Sequence, residues 1–105
     1  MDQKKFNTVW SAALDAPDRA AFVSAPVLQS ENVPLDHAGQ RGRIWDLAHM
    51  TVADIRNTTG LSQAKFAERF CIPRHTLINW EHRGICAPYI RLMLARLCGL
   101  TEGLL

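Results

Sequence analysis

The feature that most constrains this chain is the punctuation between residues 60 and 84, where start and stop signals recur too closely for anything but short helices. Gly60 is a left-handed stop and Ser62 a helix cap; Pro73 opens a helix where a missing N–H does no harm, and Gly84 follows that helix's end. Between these marks Phe66, Ala67 and Phe70, then Leu77 and Trp80, recur at steps of three and four, so each segment has one apolar stripe to bury. The same grammar extends outward. Thr51 and Asp54 form a capping box ahead of Val52 and Ile55, and Pro88 and Gly99 bracket a further segment. Helices this short do not persist alone, so the four must share a core. The expected class is therefore all-α, a compact helical bundle.

With 105 residues and 48% hydrophobic side chains the chain fits one domain with a modest core. Before residue 51 the pattern is weaker. Helices are expected at 8–14 and 18–24, with 27–37 as a connecting loop. Gly39 and Gly42 weaken any helix before Ile44, although Ile44, Trp45, Leu47, Ala48 and Met50 belong to some buried surface. This predicts an N-terminal helical extension over 1–40, packing on the core or on a partner, and a main domain over 41–105. Charge divides the same way: three basic side chains face five acidic ones in 1–40, and nine face four in 41–99. Positive charge gathers where the helical punctuation lies.

Several functional classes are disfavoured. The sequence has no apolar run of membrane-spanning length and no secretory leader, so a soluble, cytoplasmic protein with no membrane partner is expected. Cys71, Cys86 and Cys98 are odd in number and lack C-x-x-C spacing, and His37, His49, His75 and His82 do not complete a tetrahedral ligand set. No metal or other cofactor is expected. Nor does a Ser-His-Asp order, a glycine-rich phosphate loop or a poised carboxylate pair emerge, so an enzyme is not expected.

Residues 61–81 place two short helices on either side of a tight turn at Cys71-Ile72-Pro73, an arrangement that holds the second helix proud of the body. Such a helix has the width of the DNA major groove. With Leu77 and Trp80 turned inward, Arg74, His75, Ile78 and Asn79 lie outward as candidate base readers: Arg forks to guanine, Asn forks to adenine, and Ile meets a thymine methyl. Ser62, Gln63 and Thr76 stand near helix N-termini, where N–H groups favour phosphate, and Arg83 is a further phosphate candidate.

In register, Gly60-Leu61-Ser62-Gln63, Phe66-Ala67, Ile72, Thr76-Leu77 and Trp80-Glu81 resemble the helix-turn-helix of the Cro and phage-repressor family, the XRE type, over about residues 51–99. The resemblance implies a lambda-repressor-like arrangement with Gln63 and Thr76 on phosphates and Arg74, His75 and Asn79 on bases. It also implies a structural salt bridge between Arg56 and Glu81. Two positions depart from the pattern: Cys71 and Arg83 stand where the family usually has glycine. A Cys held at positive φ costs on the order of 1 kcal/mol.

The functional expectation is a sequence-specific regulator of transcription, a repressor that binds a palindromic operator as a dimer with its recognition helix, about 74–82, in the major groove of double-stranded DNA. The alternative is the antitoxin of a toxin–antitoxin pair, whose residues 1–40 cover a toxin partner while the same motif regulates the operon. A homodimer is expected because Tyr89, Ile90, Met93, Leu94 and Leu97 fill one core face, which leaves Leu92, Leu100, Leu104 and Leu105 as surplus apolar surface for the dimer interface.

Overall fold

The structure, a computed structural model, describes residues 3–33, 39–82 and 86–104. Every regular element among them is helical: α1 Gln3–Asp15, α2 Arg19–Val23, α3 Pro26–Ser30, α4 Gln40–Ala48, α5 Val52–Thr59, α6 Gln63–Arg69, α7 Arg74–His82 and α8 Pro88–Leu97. The all-α class expected from the punctuation is what is found. No described helix is long and apolar enough to cross a membrane. Arg83, Leu105 and His37 lie outside the described residues.

The chain forms two compact units, residues 1–49 with 101–105, and residues 50–100. The sequence drew its boundary at residue 40, whereas residues 41–49 and 101–105 belong to the first unit, because α4 packs on α1 and α2.

In the first unit α1 turns Phe6, Val9, Trp10 and Ala13 inward at steps of three and four, and all four are buried. α1 begins well before residue 8, and α3 is helical where a loop was expected. Pro26 explains the latter, since it takes the first helical position and Asp18 already caps α2 just upstream. α4 passes through Gly42 because Arg19 lies across that position: a Cβ there would run into the Arg19 guanidinium, which reaches Asp46 at 3.1 Å.

Arg41 is the unusual residue of this unit, since a charged side chain is seldom buried and this one is only 7% exposed. Its guanidinium donates to the carbonyl oxygens of Val23 at 2.8 Å and Val33 at 2.7 Å, satisfying backbone groups where α2 ends and after α3. His49 makes a similar link. Its Nε2 sits 2.8 Å from the Ala13 carbonyl, and its ring stacks on Trp45 with centroids 4.2 Å apart.

The second unit follows its sequence signals closely. Thr51 and Asp54 exchange reciprocal bonds of 3.0 and 3.1 Å at the start of α5, Gly60 ends it at φ 74°, and Ser62 Oγ accepts from the Lys65 N–H. Val52, Ile55, Phe66, Ala67, Leu77, Leu94 and Ala95 form the core, with Leu61, Ile72, Trp80, Ile90 and Leu100 packed around it. Fully buried residues such as Phe66, Ile55 and Leu77 each contribute about 1.5–3 kcal/mol by removal from water. At the other end, Gly99 at φ 75° lets the Leu100 N–H return to the Ala95 carbonyl, closing α8.

Replacing Arg41 by Met keeps apolar bulk but removes the donors that the Val23 and Val33 carbonyls accept from. The Arg41→Met variant is expected to lose about 2–4 kcal/mol in urea denaturation, against no more than about 0.5 kcal/mol for Arg43→Met at an exposed position of the same helix.

Candidate nucleic-acid interface

The α6–turn–α7 segment is built by a backbone reversal at Cys71. The Ile72 N–H bonds back to the Ala67 carbonyl at 2.9 Å and the Cys71 N–H to that of Glu68 at 3.4 Å, which requires a left-handed residue between them. Cys71 supplies it at φ 55°. Pro73 then contributes only its carbonyl, which accepts from the N–H groups of Thr76 and Leu77, so it stands at the cap of α7 and the helix proper begins with Arg74.

From there the helical repeat decides which side chains are free. Leu77 is fully buried, Trp80, Glu81 and Thr76 are half-buried, and Arg74, His75, Ile78, Asn79 and His82 are exposed. At about 100° per residue the five exposed positions span about 140° of the helix circumference, and Leu77 points away from them. Arg74, His75, Ile78 and Asn79 therefore share one outward face, as the spacing implied. His82 joins them, although sequence reasoning did not place it there. Its signal is its position four residues after Ile78 and three after Asn79.

Behind this face lies a clamp. The Arg56 guanidinium meets the Glu81 carboxylate through two parallel bonds, Nε to Oε2 at 2.8 Å and Nη2 to Oε1 at 3.0 Å, while Nη1 donates to the Leu61 carbonyl at 2.9 Å. The side chains are only 18% and 6% exposed, so the pair is largely screened from solvent. Hydrogen bonding to Glu81 raises the Arg56 pKa further above its ordinary range, against an opposing effect of burial. One guanidinium thus ties α5, the α5–α6 connection and the last turn of α7 together.

Gln63 is held by the same carboxylate, its Nε2 donating to Glu81 Oε1 at 3.2 Å. This fixes the side-chain amide at the first position of α6. Ser62 is exposed and engaged in capping α6, and Thr76 lies on the flank of α7.

The dimer residues named from sequence sit elsewhere than expected. Leu104 is 2% exposed, Leu100 packs on the core of the second unit and Leu92 is half-buried. The residues left outside are instead Tyr89, Met93 and Leu97. The series 89-93-97 and 90-94-98 are neighbouring stripes of one helix, and α8 docks through the second together with Ala95. The three cysteines are free thiols, and burial pushes the Cys86 and Cys98 pKa values up. Among the described residues no group of three His, Cys, Asp or Glu side chains is placed to hold a metal ion. Compared with family models, curated proteins and solved structures, the chain matches none.

Two substitutions test this construction. Cys71→Gly removes the strain of a left-handed non-glycine residue and is expected to raise the unfolding free energy by about 1 kcal/mol in chemical denaturation. Arg56→Met leaves Glu81 without its partner and is expected to cost about 2–4 kcal/mol by the same measurement.

Proposed function

We propose that this chain is a sequence-specific DNA-binding regulator of transcription, a cytoplasmic repressor that inserts α7 into the major groove and occupies a palindromic operator with two copies. The observation that carries the reading is the outward face of α7, where Arg74, His75, Ile78 and Asn79 stand exposed over a fully buried Leu77. These residue types cover the chemistry of base edges: a cationic fork, an amide that both donates and accepts, and an apolar group for a methyl.

Supporting residues fit phosphate positioning. Gln63 at the start of α6 and Thr76 in the first turns of α7 lie where N–H groups favour anions, and Ser62 is beside them. The Arg56–Glu81 clamp keeps the two helices in fixed relation, which sequence reading demands because a forked bond tolerates little displacement. The resemblance to the Cro and phage-repressor family points the same way.

The test is selection from random duplexes followed by binding titration at fixed salt. The selected duplex is expected to bind at least about 10³-fold more tightly than its scrambled counterpart. Arg74→Ala and Asn79→Ala should each erase preference at one base pair, a loss of about 1–3 kcal/mol of discrimination, whereas Gln63→Ala should weaken all duplexes alike. Equal affinity for selected and scrambled DNA overturns the reading.

A further inference from the structure

A trough of about 290 Å³ lies in the second unit, lined on α8 by Tyr89, Met93 and Leu97 and by Ile90 and Leu94 beside them, and elsewhere by Phe70, Ile72 and Trp80. From Tyr89 to Leu97 its α8 lining extends over about 12 Å, and none of the lining side chains is charged. One charge stands at its edge. Arg69 closes α6, is exposed, and holds its guanidinium carbon 6.0 Å from the ring centre of Phe70. Burial pushes the Cys98 thiol pKa up and the positive charge of Arg69 opposes this, which puts the guanidinium near the residue that follows Leu97, at the C-terminal end of the trough. The geometry points to a binding site for a free medium-chain carboxylic acid of about ten carbons, its chain in the trough and its carboxylate at Arg69.

Size, polarity and charge select this occupant. A methylene takes up roughly the 30 Å³ that a water molecule occupies in the liquid, so the trough holds about ten of them. An apolar lining leaves the hydrogen-bonding groups of a sugar or a nucleotide without partners, whereas an alkyl chain has none to satisfy. The cation at one end then separates an acid from an alcohol or an amine, because the planar guanidinium offers parallel donors to both oxygens of a carboxylate.

Arg69 is available for that role. Among the described residues it forms no ion pair, neighbouring Glu68 included, and α8 carries no acidic side chain to offset it. Arg96 is also exposed, but by the helical repeat it projects from the side of α8 away from Ile90 and Leu94, so Arg69 is the cation that serves the trough. A bilayer surface is recruited by several basic groups acting together, whereas one guanidinium at the end of one trough suits a single headgroup. The site needs no DNA and stands apart from the operator reading, although Trp80, one of its walls, belongs to α7.

The test is an NMR titration of the full chain, without DNA, by decanoate kept below the concentration at which it forms micelles. The Trp80 indole N–H signal is expected to move and saturate with a dissociation constant on the order of 100 µM, while those of Trp10 and Trp45, in the first unit, stay in place. Octanoate should bind about three- to tenfold more weakly because two methylenes fewer are buried, and decyltrimethylammonium at least about tenfold more weakly because Arg69 repels it. Arg69→Gln should weaken decanoate at least about threefold and abolish the preference for acid over ammonium, and Leu97→Glu, which sets a carboxylate in the trough, should weaken it at least about tenfold. Both positions are exposed, so circular dichroism and the melting midpoint should be unchanged. No saturation by decanoate, equal affinity for the ammonium, or movement of the Trp10 or Trp45 signal in place of Trp80 overturns the proposal. So does a Trp80 signal that follows protein concentration instead of decanoate, the mark of a second copy in the trough, or attachment to anionic phospholipid vesicles without binding of decanoate.

Discussion

The geometry of the candidate reading surface depends on one guanidinium. Arg56 emerges from α5, a helix that presents no base-reading side chain, and through its fork to Glu81 it holds the last turn of α7 while its third nitrogen holds the Leu61 carbonyl between α5 and α6. A buried ion pair is seldom the most stabilising filling for its space, because desolvation cancels most of the attraction. Its value here is directional. Parallel N–H···O bonds define distance and angle together, which apolar contacts do not, and the spare capacity of the same carboxylate orients Gln63.

Arg41 solves a related problem in the first unit. Very short helices leave a large share of their backbone carbonyls without intrahelical partners, and α2 and α3 are five residues each. A planar cation with several donors collects the Val23 carbonyl at the end of α2 and the Val33 carbonyl ten residues on, beyond α3, and so a charged residue is buried in the same unit as Phe22, Leu28 and Ile44. Both arginines act as connectors between backbone and helix, one in each unit.

How much of this was legible depends on whether the signal is local. The limits of α5 to α8 were readable because Thr51, Gly60, Ser62, Pro73, Pro88 and Gly99 each act on the backbone within one turn. The outward face of α7 followed from turning Leu77 and Trp80 inward once the period was known, and the resemblance to a repressor motif supplied the pairing of Arg56 with Glu81. Tertiary facts were not readable. Arg41 carries the same local signature as the exposed Arg43, and only the arrival of two carbonyls from distant segments separates them. The rotation of α8 was misjudged for a similar reason: apolar residues occupy so much of its circumference that periodicity does not select which stripe faces the core.

That last ambiguity follows from how the second unit divides its labour. A helix that presents polar groups to a groove has little apolar surface to give its own fold, and α7 contributes a single fully buried side chain, Leu77. The missing burial has to be supplied by neighbours, and α8, the most apolar of the four, supplies Ile90, Leu94, Ala95 and Cys98. A ten-residue helix rich enough in apolar residues to do this has a stripe left over, since only part of its circumference reaches one small core. The exposed ridge of Tyr89, Met93 and Leu97 is thus the counterpart, on α8, of the polarity that α7 keeps on its outer face.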